Sequence, residues 1–329
     1  MCARIDVHHH FFTPRLVEEL RRVGAEQVGG AALSSAWLPE ESLAMMDRYE
    51  IDAALLSVPV PLQFGDRALA RDVARSLNEF GAECVAASPE RFGLLAVLPL
   101  PDVEGALAEI AYALDVLGAD GVGLLSNHAG VYLGDPRLDP LFAELDRRGA
   151  VAHVHPTSAV SPVPGLEPSL LEFVFDTTRA AAGLVVSATL KRHPNLKLIL
   201  SHAGGAVPFL HDRIVDRGPI LARVRRASTA PPSPAELQHL LGEALAQARS
   251  MLTGLYYDTA LSATPTVFGD LLELARPGHI LLGTDFPMAQ EVGMKMTIEG
   301  LQVLAGHDSL PAIEGENAKA LFPRLASGR

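Results

Sequence analysis

The chain is poor in cysteine: only Cys2 and Cys84 occur in 329 residues. No disulfide framework and no cysteine-based metal site can be assembled from two thiols, one of them at the N-terminus, and a reducing cytoplasm fits. It also lacks a long apolar run. None approaches the roughly 18 uninterrupted residues of a membrane span, and the opening Met-Cys-Ala-Arg-Ile-Asp-Val-His contains no apolar leader core. Positive charge is short as well, with 27 Lys and Arg against 39 Asp and Glu for a formal net charge of −12. The average field of such a surface repels nucleic acid and anionic membranes, leaving a local basic pocket for a small anion as the compatible charged partner. Low-complexity linkers are missing, 48% of the residues are hydrophobic, and this length routinely forms one α/β unit. One catalytic domain over residues 1–329 is therefore expected.

What is present is a repeated pattern. Eight short β-branched or apolar runs recur: Arg4 to His8, Ala53 to Val58, Gly93 to Leu98, Gly121 to Leu125, Val151 to His155, Leu196 to Ser201, Leu255 to Thr259 and Ile280 to Thr284. Segments of helical periodicity separate them, at Glu40 to Tyr49, Arg67 to Ala86, Val103 to Leu117, Pro136 to Arg148, Thr177 to His193, Ala206 to Arg226, Pro234 to Met251 and Pro265 to Ala275. Repeated βα units imply a parallel sheet, and eight of them predict a closed (β/α)8 TIM barrel. Two connections exceed ordinary loop length, residues 11–39 after the first strand and Pro156 to Asp176 after the fifth. Both leave C-terminal strand ends, where barrel active sites lie, so 11–39 reads as a lid insertion and the second as a long loop over the pocket. Trp37, Phe173 and Phe175 are the apolar side chains that would line it, or else serve as buried loop anchors.

Chemistry-bearing residues collect at strand ends. In Asp6-Val7-His8-His9-His10 the alternation of strand side chains turns His8 and His10 one way and His9 the other. The fifth strand ends His153-Val154-His155, the sixth leads into Ser201-His202-Ala203-Gly204-Gly205, and the eighth into Gly283-Thr284-Asp285. A closed barrel puts these ends on one face, so His8, His10, His155, His202 and Asp285 can surround one ion. Imidazoles with one carboxylate suit a borderline divalent cation, Zn2+ first and Mn2+, Fe2+ or Co2+ next. Asp258, in Tyr256-Tyr257-Asp258, reads as a supporting carboxylate behind the ligands. Asn127 and His128, after the fourth strand, either line the pocket or shape a turn.

The segments IDVHHHFFTP, HVHPT, SHAGGAVPF, YYDTA and LLGTDFP, in this order, resemble the amidohydrolase family that includes aminocarboxymuconate-semialdehyde decarboxylase and related aromatic acid decarboxylases. The stretches SLNEFGAECVAASPERFGLLAVLPL, EIAYALDVLGADGVGLLSN, YLGDP and RRGAVAHVHPT with TTRAA are similar to 6-methylsalicylate decarboxylases. This resemblance implies that His8, His10, His155 and Asp285 bind the metal and that His202 is catalytic beside it. It further implies that Arg213, in SHAGGAVPFLHDR, reaches a substrate carboxylate, sometimes across a homodimer interface, where a bidentate guanidinium suits the anion. The other reading of Arg213 is a surface ion pair with Asp212 or Asp216. Two departures are informative. An additional carboxylate-binding Arg of some relatives is replaced by Pro39-Glu40-Glu41-Ser42-Leu43-Ala44, which argues against an aminocarboxymuconate substrate. The carbamylated Lys that bridges two metals in binuclear members would close the fourth strand, which here ends Leu124-Leu125-Ser126-Asn127, while the four lysines are 191, 197, 295 and 319. A mononuclear site follows.

The expected activity is metal-dependent, non-oxidative decarboxylation of a small aromatic, salicylate-type or related unsaturated carboxylic acid, with Asp285 delivering a proton and His202 orienting substrate or water. The same residues also suit a hydrolase acting on a lactone, ester or amide, or a hydratase of an unsaturated dicarboxylate. A silent metal-binding scaffold would be expected to have lost His202 or Asp285, and both are present.

Overall fold

A computed structural model describes residues 4–25, 27–28, 31–32, 37–157, 163–226, 234–304 and 309–326; Cys2 lies outside them. The eight expected strands form as β1 (Arg4–His10), β2 (Ile51–Ser57), β3 (Phe92–Val97), β4 (Gly121–Leu125), β5 (Val151–His155), β6 (Lys197–Leu200), β7 (Tyr256–Asp258) and β8 (Ile280–Leu281). They pair in chain order and every pair is parallel. The barrel closes where Val7 N donates to Leu282 O at 2.9 Å, His10 N to Phe286 O at 2.7 Å and Asp285 N to His8 O at 2.8 Å. Strands covered on both faces need apolar residues at nearly every position, which is what Ala53-Ala54-Leu55-Leu56, all buried, supplies.

The α-helices before residue 301 are α1 (Pro14–Arg22), α2 (Pro39–Arg48), α3 (Arg67–Ala87), α4 (Val103–Asp115), α5 (Asp139–Arg148), α6 (Glu172–Val186), α7 (Thr189–Arg192), α8 (Val207–Arg226), α9 (Pro234–Thr253), α10 (Pro265–Leu274) and α11 (Gln290–Gly300). Side-chain caps start several of them: Asp66 accepts from Ala68 N at 2.8 Å ahead of α3, and Asp102 from Gly105 N at 3.2 Å ahead of α4. Inside the barrel, Ile5, Val7, Ala53, Leu55, Leu95, Val151, Ile199 and Leu281 meet Ala318, Leu321 and Phe322 from the C-terminal segment. The sheet wall packs outward against the helices in two larger apolar clusters.

Three elements differ from the sequence pattern. The stretch read as a lid contains α1, capped by Thr13 and anchored by buried Leu16, Val17 and Leu20, which join α3 residues in one apolar cluster. Helix α6 starts at Glu172 rather than Thr177, and the single helix expected to run on to His193 breaks at Ala188, whose φ of 56° no helix interior adopts. Strand β8 is regular only over Ile280–Leu281, although single backbone bonds to β1 continue as far as Phe286, past Asp285 with its φ of 61°.

Candidate metal centre

The first strand brings two imidazoles to the barrel mouth. The β1–β2 register slips between Asp6 and His9, so Asp6 and His9 share one side of the strand while His10 lies opposite Ser57. On that side Asp6 accepts from His9 Nδ1 at 3.1 Å and from Thr284 N at 2.9 Å, and His9 Nε2 meets Ser42 Oγ of α2 at 2.9 Å. His9 is thus a clasp between barrel and helix, as its parity predicts. On the other side, His8 Nε2 and His10 Nε2 come within 3.0 Å of each other.

The remaining strand ends converge on the same point. Asp285 Oδ1 lies 3.2 Å from His8 Nε2, 3.0 Å from His10 Nε2 and 3.9 Å from His155 Nε2, while Asp285 Oδ2 lies 3.5 Å from His202 Nε2. All five side chains are buried. Two of the five have uncommon backbones, with φ of 53° at His202 and 61° at Asp285, and Ala203 beside His202 has φ 55°, the kind of strain that a packed surrounding retains at functional positions. Gly205 follows with φ 67°, and a Cβ there would stand 2.1 Å from Val174 O. Gly205 is therefore required by the close approach of α6, and Gly204, at φ 75°, by the Tyr257 ring, which a Cβ there would meet at 2.8 Å.

Outward hydrogen bonds fix each ring's tautomer. His155 Nδ1 faces the carbonyl of Pro156 at 2.7 Å, which can only accept. His8 Nδ1 faces Asp258 Oδ2 at 2.9 Å. His10 Nδ1 faces Ser57 Oγ at 2.9 Å, and that hydroxyl spends its own hydrogen on His9 O at 3.0 Å. Each Nδ1 therefore donates, and each Nε2 lone pair is left facing the centre. Lone pairs of His8 and His10 aimed at one another across 3.0 Å, beside a buried carboxylate, require a cation or a proton between them. Ligand atoms about 2.1 Å from a tetrahedral ion stand about 3.4 Å apart, close to the spacings found, so the residues fit a divalent metal. Among the described residues, His8, His155, His202 and Asp285 form one group able to hold an ion.

The electrostatics reflect this crowding. Burial penalises a charged imidazole and holds His155 down to about 4 and His10 well below its ordinary value. At His8 burial acts in the same direction but is outweighed by the Asp258 and Asp285 carboxylates, and the ring is pushed up to about 10. Burial opposes ionisation of Asp285 too, yet the surrounding imidazoles hold its carboxyl well below the usual range. The metal-free centre consequently carries a proton on His8. Asp258 holds the back of the centre together: beyond His8 it accepts from His153 Nε2 at 2.9 Å, His202 N at 2.9 Å and Ala260 N at 3.0 Å. His202 Nδ1 is buried without a hydrogen-bond partner among the described residues.

The apolar residues expected around the pocket are not all gathered there. Phe173 lies with its ring centroid 6.0 Å from that of His155. Trp37 is buried against Phe11, the residue after His10, and against Phe80, with ring centroids 5.8 and 6.2 Å apart. Phe175 is exposed on α6. Arg213 is exposed on α8 and makes no ion pair among the described residues with either Asp212 or Asp216; Asp212 is engaged by Arg249 at 2.8 Å. Its guanidinium touches none of the five central residues of its own chain.

No lysine reaches the end of β4. Lys191 bonds Gln247, Lys197 the carbonyl of Gly149, Lys295 pairs with Glu299 and Lys319 with Glu316. In that place Asn127 accepts from Gly130 N at 3.0 Å, the turn role, within a small hairpin joining Asn127–His128 to Val131–Tyr132. The sequence pattern did not single out Asp176, a fully buried carboxylate on α6 that clamps this hairpin. It accepts from Ser126 Oγ, from Asn127 Nδ2 at 2.8 Å and from Tyr132 Oη at 2.5 Å. Ser126 N in turn donates to His155 O at 2.8 Å, so the clamp steadies a ligand strand. An Asp flanked by apolar residues and Thr on a helix gives no local sign of this role.

Comparison with known proteins agrees with the geometry. The protein is 34% identical to a 6-methylsalicylic acid decarboxylase from Penicillium expansum over 98% of this chain and 97% of that one. Its fold superposes on a solved amidohydrolase II with a TM-score of 0.84 and 27% identity, covering 98% of this chain and 100% of the other. A dihydroxybenzoic acid decarboxylase from Polaromonas, solved with bound manganese, shares the fold at a TM-score of 0.76 and 22% identity, over 98% of this chain and 97% of that one. The amidohydrolase family pattern matches residues 5–324, and the chain belongs to the amidohydrolase family.

Proposed function

We propose that the protein is a metal-dependent, non-oxidative decarboxylase of a small aromatic, salicylate-type carboxylic acid. The observation that carries this reading is the full-length similarity to a 6-methylsalicylic acid decarboxylase, in a chain that retains all five central groups. His8, His10, His155 and Asp285 hold one ion, Zn2+ in this reading and Mn2+ as the alternative that the Polaromonas structure suggests. When bound, the ion supplies a Lewis-acid anchor for the substrate carboxylate and its ortho oxygen.

The residues divide the remaining work. Asp285 is held ionised by the surrounding imidazoles, so the proton it delivers is first taken up from solvent water through His202, whose Nε2 lies 3.5 Å away. That proton goes to the ring carbon bearing the carboxylate. The carbon–carbon bond to the carboxylate then breaks, its electron pair restores the aromatic ring, and carbon dioxide leaves. Phe173 against His155 helps exclude water, which strengthens the electrostatic interactions at the centre. Arg213, exposed and without an ion pair among the described residues, anchors the substrate carboxylate of a partner copy, which makes the working form a homodimer. Among the described residues no helix is long and apolar enough to cross a membrane, and buried, unpaired Cys84 suits a reducing cytoplasm.

The test couples metal analysis of the purified protein to carbon dioxide release from ortho-hydroxybenzoates before and after chelation. One metal per chain with chelator-sensitive gas release is expected. Ring opening of lactones without gas would transfer the site to hydrolysis, and absence of bound metal would remove the basis of the reading.

A further inference from the structure

The central residues sit on or just beyond β1, β5, β6 and β8, which leaves one arc of the barrel mouth, over β2, β3 and β4, free of them. That arc holds a recess lined by Val58, Val60, Val97, Gly123, Leu125 and His128, among others. Register turns three of its lining residues into the barrel beside the centre: Val97 is opposite Gly123, Gly123 opposite His153, and Leu125 opposite His155, and residues opposite one another in a parallel pair face the same side. Val58 directly follows Ser57, which holds His10.

The lining is aliphatic except for one ring. Leu125 N donates to His128 Nε2 at 3.2 Å, so the hydrogen of that buried imidazole is on Nδ1. Burial holds His128 down to about 3, and the recess thus carries no charge with which to balance a second carboxylate. The recess is also small, with a cavity volume of about 10 Å³, at the lower limit for one water-sized group. Gly123 makes the space: a Cβ built on it meets nothing closer than Ala96 O at 3.8 Å and Leu95 O at 3.9 Å, and its φ is unstrained.

Resting on the decarboxylase reading and deepening it, we propose that this recess is the subsite for a ring substituent. It admits one uncharged apolar group of about methyl size on the substrate ring and rejects a second carboxylate. Gly123 is the residue whose missing side chain leaves room for that group.

The experiment measures kcat/KM for carbon dioxide release by the metal-loaded enzyme with salicylate, its four ring-methylated isomers and a carboxylated salicylate. One methyl isomer should exceed salicylate by about 10-fold or more, the discrimination one buried methyl group provides, and the dicarboxylate should be turned over least. Gly123→Ala fills the recess without a backbone clash, so the methyl-to-hydrogen ratio should fall to about one while metal content and circular dichroism stay native. Val97→Ala enlarges the recess and should move the preference to an ethyl group at the same ring position, a second route if the alanine at 123 does not fold. If salicylates are decarboxylated with no methyl preference, or the preference survives Gly123→Ala, the subsite is refuted while the decarboxylase stands. If no acid in the panel releases carbon dioxide, the decarboxylase reading fails and the subsite with it.

Discussion

Substituting Asp258 by Asn probes the support behind the metal centre without touching a ligand. Asp258 accepts four hydrogen bonds: Oδ2 from His8 Nδ1 and His153 Nε2, each at 2.9 Å, and Oδ1 from the backbone of His202 and Ala260 at 2.9 and 3.0 Å. An amide keeps one oxygen, so it can satisfy the two rings or the two backbone donors, not both, and turns its NH2 toward donors that already carry hydrogen. Losing the outer partner of a ligating imidazole costs about 10- to 100-fold in metal affinity, or about 1.4 to 2.7 kcal/mol. The pH dependence adds a second signature. Burial lowers the His8 pKa, but Asp258 and Asp285 together push it up to about 10 in the metal-free centre. The ion must therefore displace a proton at neutral pH, and native affinity should rise about tenfold per pH unit between roughly pH 6 and 9. Asp258→Asn removes one of the two carboxylates holding that proton. The His8 pKa falls, the slope flattens, and the variant's affinity deficit is widest at high pH and narrows as pH falls. Competition against a chromophoric chelator across this range, with calorimetry in buffers of different ionisation enthalpy to count released protons, measures both effects. Native-like affinity, or a deficit that widens toward low pH, would refute the reasoning.

Other perturbations separate the remaining roles. His202→Asn should retain bound metal while lowering kcat at least about 100-fold, the usual contribution of a positioned acid–base group; equal turnover would remove His202 from the proton path. Arg213→Ala should raise KM about 10- to 100-fold with a smaller change in kcat, since a charged hydrogen bond to a carboxylate contributes about 1.5–3 kcal/mol, and mixing it with His202→Asn should restore activity if the arginine acts across a dimer. Gly205→Ala should lose at least about 2 kcal/mol in denaturant unfolding, because its Cβ would stand 2.1 Å from Val174 O at a φ of 67°. A native midpoint would show that α6 yields more readily than its packing implies.

Much of the barrel was legible because its signals are local. Runs such as Ala53-Ala54-Leu55-Leu56 announce a strand buried on both faces, and capped amphipathic segments such as Arg67–Ala87 announce helices. Helix α1 was missed since nine residues inside an insertion offer too little periodicity to stand out. Ser57, Asp176 and Gly123 were missed for another reason: each acts through a partner on a different strand or helix.

By itself the sequence determined the order of strands and helices, which imidazoles and which carboxylate stand at strand ends, and the lack of a lysine after the fourth strand. These follow from spacing along one chain. Only the tertiary structure decided that Nε2 rather than Nδ1 of His8, His10 and His155 faces the centre, that Asp258 supports two rings and two backbone amides, and that the ligand-free arc of the mouth leaves a small aliphatic recess. A tautomer depends on what sits behind the ring and a recess on what does not fill it. Both are settled by groups brought together from distant strands when the barrel closes.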